Sequence, residues 1–158
     1  MTKILRLSSS AFNHNGLIPE RYTCDGNNFS PPLQISGVPT GAKSLTLIMD
    51  DPDAPAGLPD GQAGVWDHWV VYNLPPQTAE LKEGEPPAGQ LGLGTAGNAN
   101  YEGPCPPDGV HRYFFKLYVL DIELPLPPGA TKTEVLAAMR GHILDQTELI
   151  GRYGRLKT

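Results

Sequence analysis

Tyr101-Glu102-Gly103-Pro104-Cys105-Pro106-Pro107-Asp108-Gly109-Val110-His111-Arg112-Tyr113 is a stiff loop that turns into a strand. Its three prolines and two glycines fix the backbone where a plain connector would leave it free. From His111 to Asp121, His111, Tyr113, Phe115 and Leu117 fall on one side of a period-two alternation, the pattern of a core strand. The loop therefore sits at a strand end, and its small residues leave backbone N–H groups able to rim an anion.

Two further apolar runs, Ser44–Asp50 and Trp66–Leu74, read as strands bounded by turn residues, and shorter outer strands are expected near Lys3–Leu7 and Leu33–Ser36. Alternation in the second run places Trp66, His68, Val70 and Tyr72 on one face and Asp67, Trp69 and Val71 on the other. The stretch Gln77–Asn100 is glycine-rich, has no aromatic residue and reads as a long loop or flap. Thr131-Lys132-Thr133-Glu134 has the form of a capping box, and the apolar spacing after it predicts a helix to about residue 142. Ile143–Tyr153 reads as strand-like or irregular. Strands first and a late helix predict a mostly antiparallel β fold, in one domain over residues 1–158.

The composition narrows the functions. A net charge of −5 with no cluster of Lys or Arg speaks against a nucleic-acid surface and against a polybasic membrane patch. No run reaches the roughly 20 apolar residues of a membrane span, and the first residues lack the apolar core of a signal peptide, so a cytoplasmic protein is expected. In that setting Cys24 and Cys105 are expected to be reduced.

Asp51-Pro52-Asp53-Ala54-Pro55 follows directly on a strand, and Pro52 holds Asp51 extended, so both carboxylates can project from the strand end. The same residues also make good turn chemistry, just as His68 alone would read as a satisfied core histidine. Two histidines at the ends of apolar strands, with Asp51 and Asp53 beside them, point to a shared site.

These blocks resemble the signatures of phosphatidylethanolamine-binding proteins, and within them the prokaryotic Raf-kinase-inhibitor-like branch. The matching residues are Asp51-Pro52-Asp53-Ala54-Pro55, Trp66-x-His68-Trp69, and Tyr101-x-Gly103-Pro104-Cys105-Pro106-Pro107 with His111-Arg112-Tyr113. The resemblance implies an antiparallel β-sandwich with one or two peripheral helices. It also implies a small anion pocket for phosphorylated headgroups formed by Asp51, Asp53, Trp66, His68, Gly103, Cys105, Pro106, Pro107, His111 and Tyr113, with a cis proline at Ala54-Pro55. It further implies no cofactor, no catalysis, a homodimer, and a protein partner such as a kinase or protease.

Chemically, the aspartates would orient the imidazoles and raise their pKa values, while imidazole N–H, loop N–H and the Tyr113 hydroxyl face the anion. The main rival is a metal-dependent hydrolase built on the Asp/His cluster; a Cys105–His111 nucleophile is weaker, because Cys105 is locked between prolines.

Overall fold

The computed structural model describes residues 4–54, 65–107 and 109–155. Nine strands form two sheets: β1 (Arg6–Ser8), β2 (Gly16–Leu17), β3 (Leu33–Ser36), β4 (Ser44–Asp51), β5 (Trp66–Leu74), β6 (Glu80–Leu81), β7 (Gln90–Leu91), β8 (Val110–Leu120) and β9 (Ile143–Gly154). The small sheet has the order β1-β3-β6 and the large one β2-β9-β8-β4-β5-β7. Pairing is antiparallel except where the two residues of β2 run parallel to β9. The sandwich expected from the sequence is the observed architecture.

Two apolar layers hold it. Leu7, Leu33, Ile35 and Leu81 of the small sheet close on Leu47, Met49, Trp69, Val71, Phe115 and Leu117 of the large one. On the far side of the large sheet, Ile48, Val70, Tyr72 and Leu120 take Val135 and Met139 of α1 (Lys132–Met139), the one α-helix among the described residues. Burying a side chain of this size contributes about 1.5–3 kcal/mol.

The capping box forms as the sequence predicts: the Glu134 N–H donates to the Thr131 hydroxyl and the Thr131 N–H to the Glu134 carboxylate. The helix stops at Met139, short of residue 142, because Gly141 takes a φ of 83° that continues no helix.

Of the strand-like and irregular readings of Ile143–Tyr153 the structure takes the first, as β9, paired with β8 along its length. Gln77–Asn100 is a long loop, as one of the two expectations has it, but it is laid on the sheets as a strap and is not a flap. The N–H groups of Gly92 and Thr95 donate to the Val70 and Asp67 carbonyls at 2.8 and 2.9 Å, and β6 joins β3. The glycines permit this contact: a Cβ on Gly92 would lie 2.4 Å from the Ala130 carbonyl oxygen. A segment fixed by backbone approach shows no side-chain period, so the sequence carries no sign of its contacts with the sheets.

Candidate functional site

The site begins with a fault in the sheet. Between Met49 and Asp50 the β4–β5 register shifts, so that Met49 pairs with Trp69 but Asp50 with Asp67, and His68 is the extra residue of a β-bulge. The bulge breaks the alternation read from the sequence. Trp69 keeps the inner face, Asp67 goes to the outer face with Lys132, and His68 is re-aimed from the Val70 side to Tyr113 on the inner face.

At the same end of the sheet β4 finishes in Asp51 and β8 begins just before His111. The His111 Nδ1–H donates to Asp51 Oδ2 at 2.7 Å, and the other Asp51 oxygen accepts the Asp53 N–H at 2.7 Å. The His68 Nδ1–H donates to the Glu102 carbonyl at 2.7 Å. Carboxylate and carbonyl only accept, so both Nδ1 atoms carry protons, and in a neutral ring Nε2 is the bare nitrogen.

Tyr113 stands between the two imidazoles, with ring centroids 5.2 Å from His68 and 6.4 Å from His111. Burial and then the charges of Asp51 and Asp53 push its phenol well up, so it is a hydroxyl at any ordinary pH. Tyr113 is fully buried, and among the described residues its hydroxyl has no protein partner.

These groups line one cavity of about 170 Å³ with Trp66, Cys105, Pro106 and Pro107, as the sequence predicts, and with Ala54 and Glu102, which it did not single out. The Trp66 indole N–H donates to Glu102 Oε1 at 3.0 Å, which turns this carboxylate toward the cavity. Its only sequence signal was its place between Tyr101 and Gly103.

Two expected residues lie outside the lining. Asp53 instead takes Arg112 through its N–H, Nε and Nη2 at 2.8–2.9 Å, and that guanidinium holds the Asp53 carboxyl low. Gly103 lies behind the wall, its N–H donating to Asn28 Oδ1 at 2.9 Å, and a Cβ there would meet that oxygen at 2.3 Å. The cis proline expected at Ala54-Pro55 falls outside the described residues.

Two chemical expectations are corrected. Burial outweighs the raising influence of Glu102, Asp51 and Asp67, so the His68 pKa is lowered, not raised. Cys24 and Cys105 are bonded to each other, their Cα atoms 5.5 Å apart, and the Cys24 N–H donates to the Pro104 carbonyl at 3.1 Å. Compartment alone does not decide the pairing, because the fold brings two segments separated by 81 residues side by side. With its sulfur in a disulfide, Cys105 is no nucleophile. Among the described residues no group of three or more His, Cys, Asp or Glu side chains could hold a metal ion, which disfavours the hydrolase reading. No helix among them is long and apolar enough to cross a membrane.

The comparisons with known proteins agree with this architecture. The sequence profile of the phosphatidylethanolamine-binding protein family matches residues 8–154. A UPF0098 protein of Methanothermobacter thermautotrophicus is 54% identical over 157 residues, covering 96% of this chain and 99% of the relative. The crystal structure of a phosphatidylethanolamine-binding protein homologue from Chlamydia trachomatis superposes with a TM-score of 0.93 at 45% identity, covering 98% and 99% of the two chains. Escherichia coli YbcL gives 0.85 at 27% identity, covering 96% and 99%.

Proposed function

Because the chain belongs to the phosphatidylethanolamine-binding protein family, we propose that its cavity binds a small phosphorylated headgroup that also carries an amine, and does not turn it over. The observation that carries this reading is the meeting, in one small cavity, of two imidazoles fixed through Nδ1 and a Tyr113 hydroxyl that has no protein partner among the described residues. The Tyr113 hydroxyl donates to a phosphoryl oxygen, and each imidazole does so through Nε2 once that nitrogen is protonated.

Among the described residues no Lys or Arg lines the cavity, whereas Asp51 and Glu102 do. A bare phosphate would meet uncompensated negative charge there; a zwitterion places its ammonium at Glu102 and offsets it. Among the described residues the lining holds no Ser, Thr or Lys and its cysteine is bridged, so the imidazoles have no such nucleophile to activate. The outer surface is then the place for regulation of a kinase or protease, and the chain works as a homodimer, which sedimentation velocity reads directly.

Calorimetric titration with phosphoethanolamine, on wild type and His68→Asn, tests the reading. Asparagine keeps a donor for the Glu102 carbonyl and removes Nε2, so affinity should fall at least about tenfold, or 1.4 kcal/mol. Equal affinity in the variant, or phosphoester turnover that vanishes with it, would overturn the proposal.

A further inference from the structure

Tyr101 and Glu102 serve different cavities. Glu102 lines the one described above, and Tyr101 lines a second, of about 190 Å³, walled by Phe29, Pro86 and the Trp69 ring. The second cavity holds polar atoms that the protein leaves open. Trp69 is 2% exposed and Ser30 6%, yet neither the indole N–H nor the hydroxyl meets a protein partner among the described residues. Both residues line the cavity. Asn28 lines it as well, and because its Oδ1 accepts the Gly103 N–H, its NH₂ is left over as a donor.

Polar groups of buried residues almost always have partners, so an indole N–H without one, on a residue only 2% exposed that lines a cavity, marks a place where a ligand can supply the acceptor. The fixed groups here are donors, and the Ser30 hydroxyl turns either way. The exposed Glu85 at the rim disfavours an anion as that acceptor. Aromatic and proline walls favour an apolar body behind it.

We propose that this cavity is a second ligand site, for a compact uncharged group that presents a carbonyl on an apolar body. One carbonyl oxygen accepts from both the Trp69 indole and the Asn28 amide through its two lone pairs. The apolar body packs on Phe29 and Pro86.

N-acetyl-L-prolinamide is a suitable probe, followed by the indole N–H signal of Trp69 in ¹H–¹⁵N spectra. The chain has two tryptophans, so Trp66→Phe assigns that signal. Wild type should show a saturable shift of the Trp69 indole. Asn28→Asp keeps the acceptor for Gly103 but replaces the donor with a negative oxygen, and should weaken binding at least about tenfold. Ser30→Ala, a milder change that serves should the first variant not fold, should weaken it about threefold. An indole signal that does not move, that moves equally in folded wild type and both variants, or that shows contact with ordered water only, would overturn the proposal.

Discussion

Asp50 and Asp51 are consecutive residues of β4, both buried, and they face opposite sides of one sheet. Asp50 points to the outer face, where it stands opposite Asp67 and shares Lys132 with it, at 3.1 and 2.9 Å, with Lys116 as a further partner at 3.1 Å. Burial pulls the Lys132 ammonium down, but the hydrogen bonds to Asp67 and the charge of Asp50 outweigh it and hold the lysine charged. Asp51 points to the cavity and fixes one edge of His111, leaving the other edge open. On the outer face these charged atoms are paired within the protein, and of the buried side-chain atoms among the described residues only the Thr46 hydroxyl is without a partner; on the inner face, among the described residues, the hydrogen-bonding atoms of the cavity residues have none on their open edges. Closed networks hold a fold together, and open ones are left for a ligand.

The sharpest way to break this contrast is to remove the shared cation. Lys132→Met leaves Asp50 and Asp67 facing each other across the strands, and unfolding in urea should show a loss of about 3–5 kcal/mol. Phosphoethanolamine affinity of the folded variant should stay within about twofold, since the two faces act separately. A variant that kept its stability and lost binding would erase the distinction.

Next in size is the disulfide, which ties the cavity wall to the Tyr22–Asp25 segment. Closing a loop with a sequence separation of 81 residues restrains the unfolded chain. A Cys24→Ser, Cys105→Ser double variant should therefore lose about 2–4 kcal/mol in the same denaturation. Arg155, which reaches both sulfurs and clamps Asp25, remains to hold the segment, so the variant should still fold.

On the inner face the expected effects are smaller and specific. His68 has its pKa lowered in the fold, so between that value and the unfolded value of about 6.5 the unfolded chain takes up the proton first. Its contribution to stability is thus present above about pH 6.5 and is lost as pH falls, by at most about 1.4 kcal/mol per unit. Chemical denaturation of His68→Asn should show a flatter dependence over that range. Glu102→Gln keeps an acceptor for Trp66 and should reduce the preference for phosphoethanolamine over ethyl phosphate by about fivefold in calorimetry. An unchanged preference would take Glu102 out of the selection.

The contrast also explains what the sequence could and could not disclose. The strand runs, the capping box at Thr131 and the convergence of His68, His111 and Tyr113 were legible, because alternation and motif order carry them. The route by which His68 reaches the cavity was not: plain alternation puts it with Val70 and Tyr72, and only the bulge between Asp67 and Trp69 turns it inward. Glu102 and the Asp53–Arg112 clamp depend on which way a loop side chain turns, and a sequence has no period for that. The Cys24–Cys105 bond needed proximity across the fold. Lys132 read as the first residue of a helix, and its two carboxylate partners lie 65 and 82 positions away.

The central claim is that the open edges of the imidazoles are the anion's partners. In the free protein burial favours neutral His68, with the proton on Nδ1 and none on Nε2. A phosphoryl group bound at Nε2 therefore brings a proton with it, and lower pH favours the complex. Phosphoethanolamine titrated calorimetrically at about pH 5.5 and about pH 7.5, in buffers of differing ionisation enthalpy, tests this on either side of the histidine range. The account predicts tighter binding at the lower pH and net proton uptake at the higher one. Equal or weaker binding at the lower pH, with no proton taken up, would contradict it.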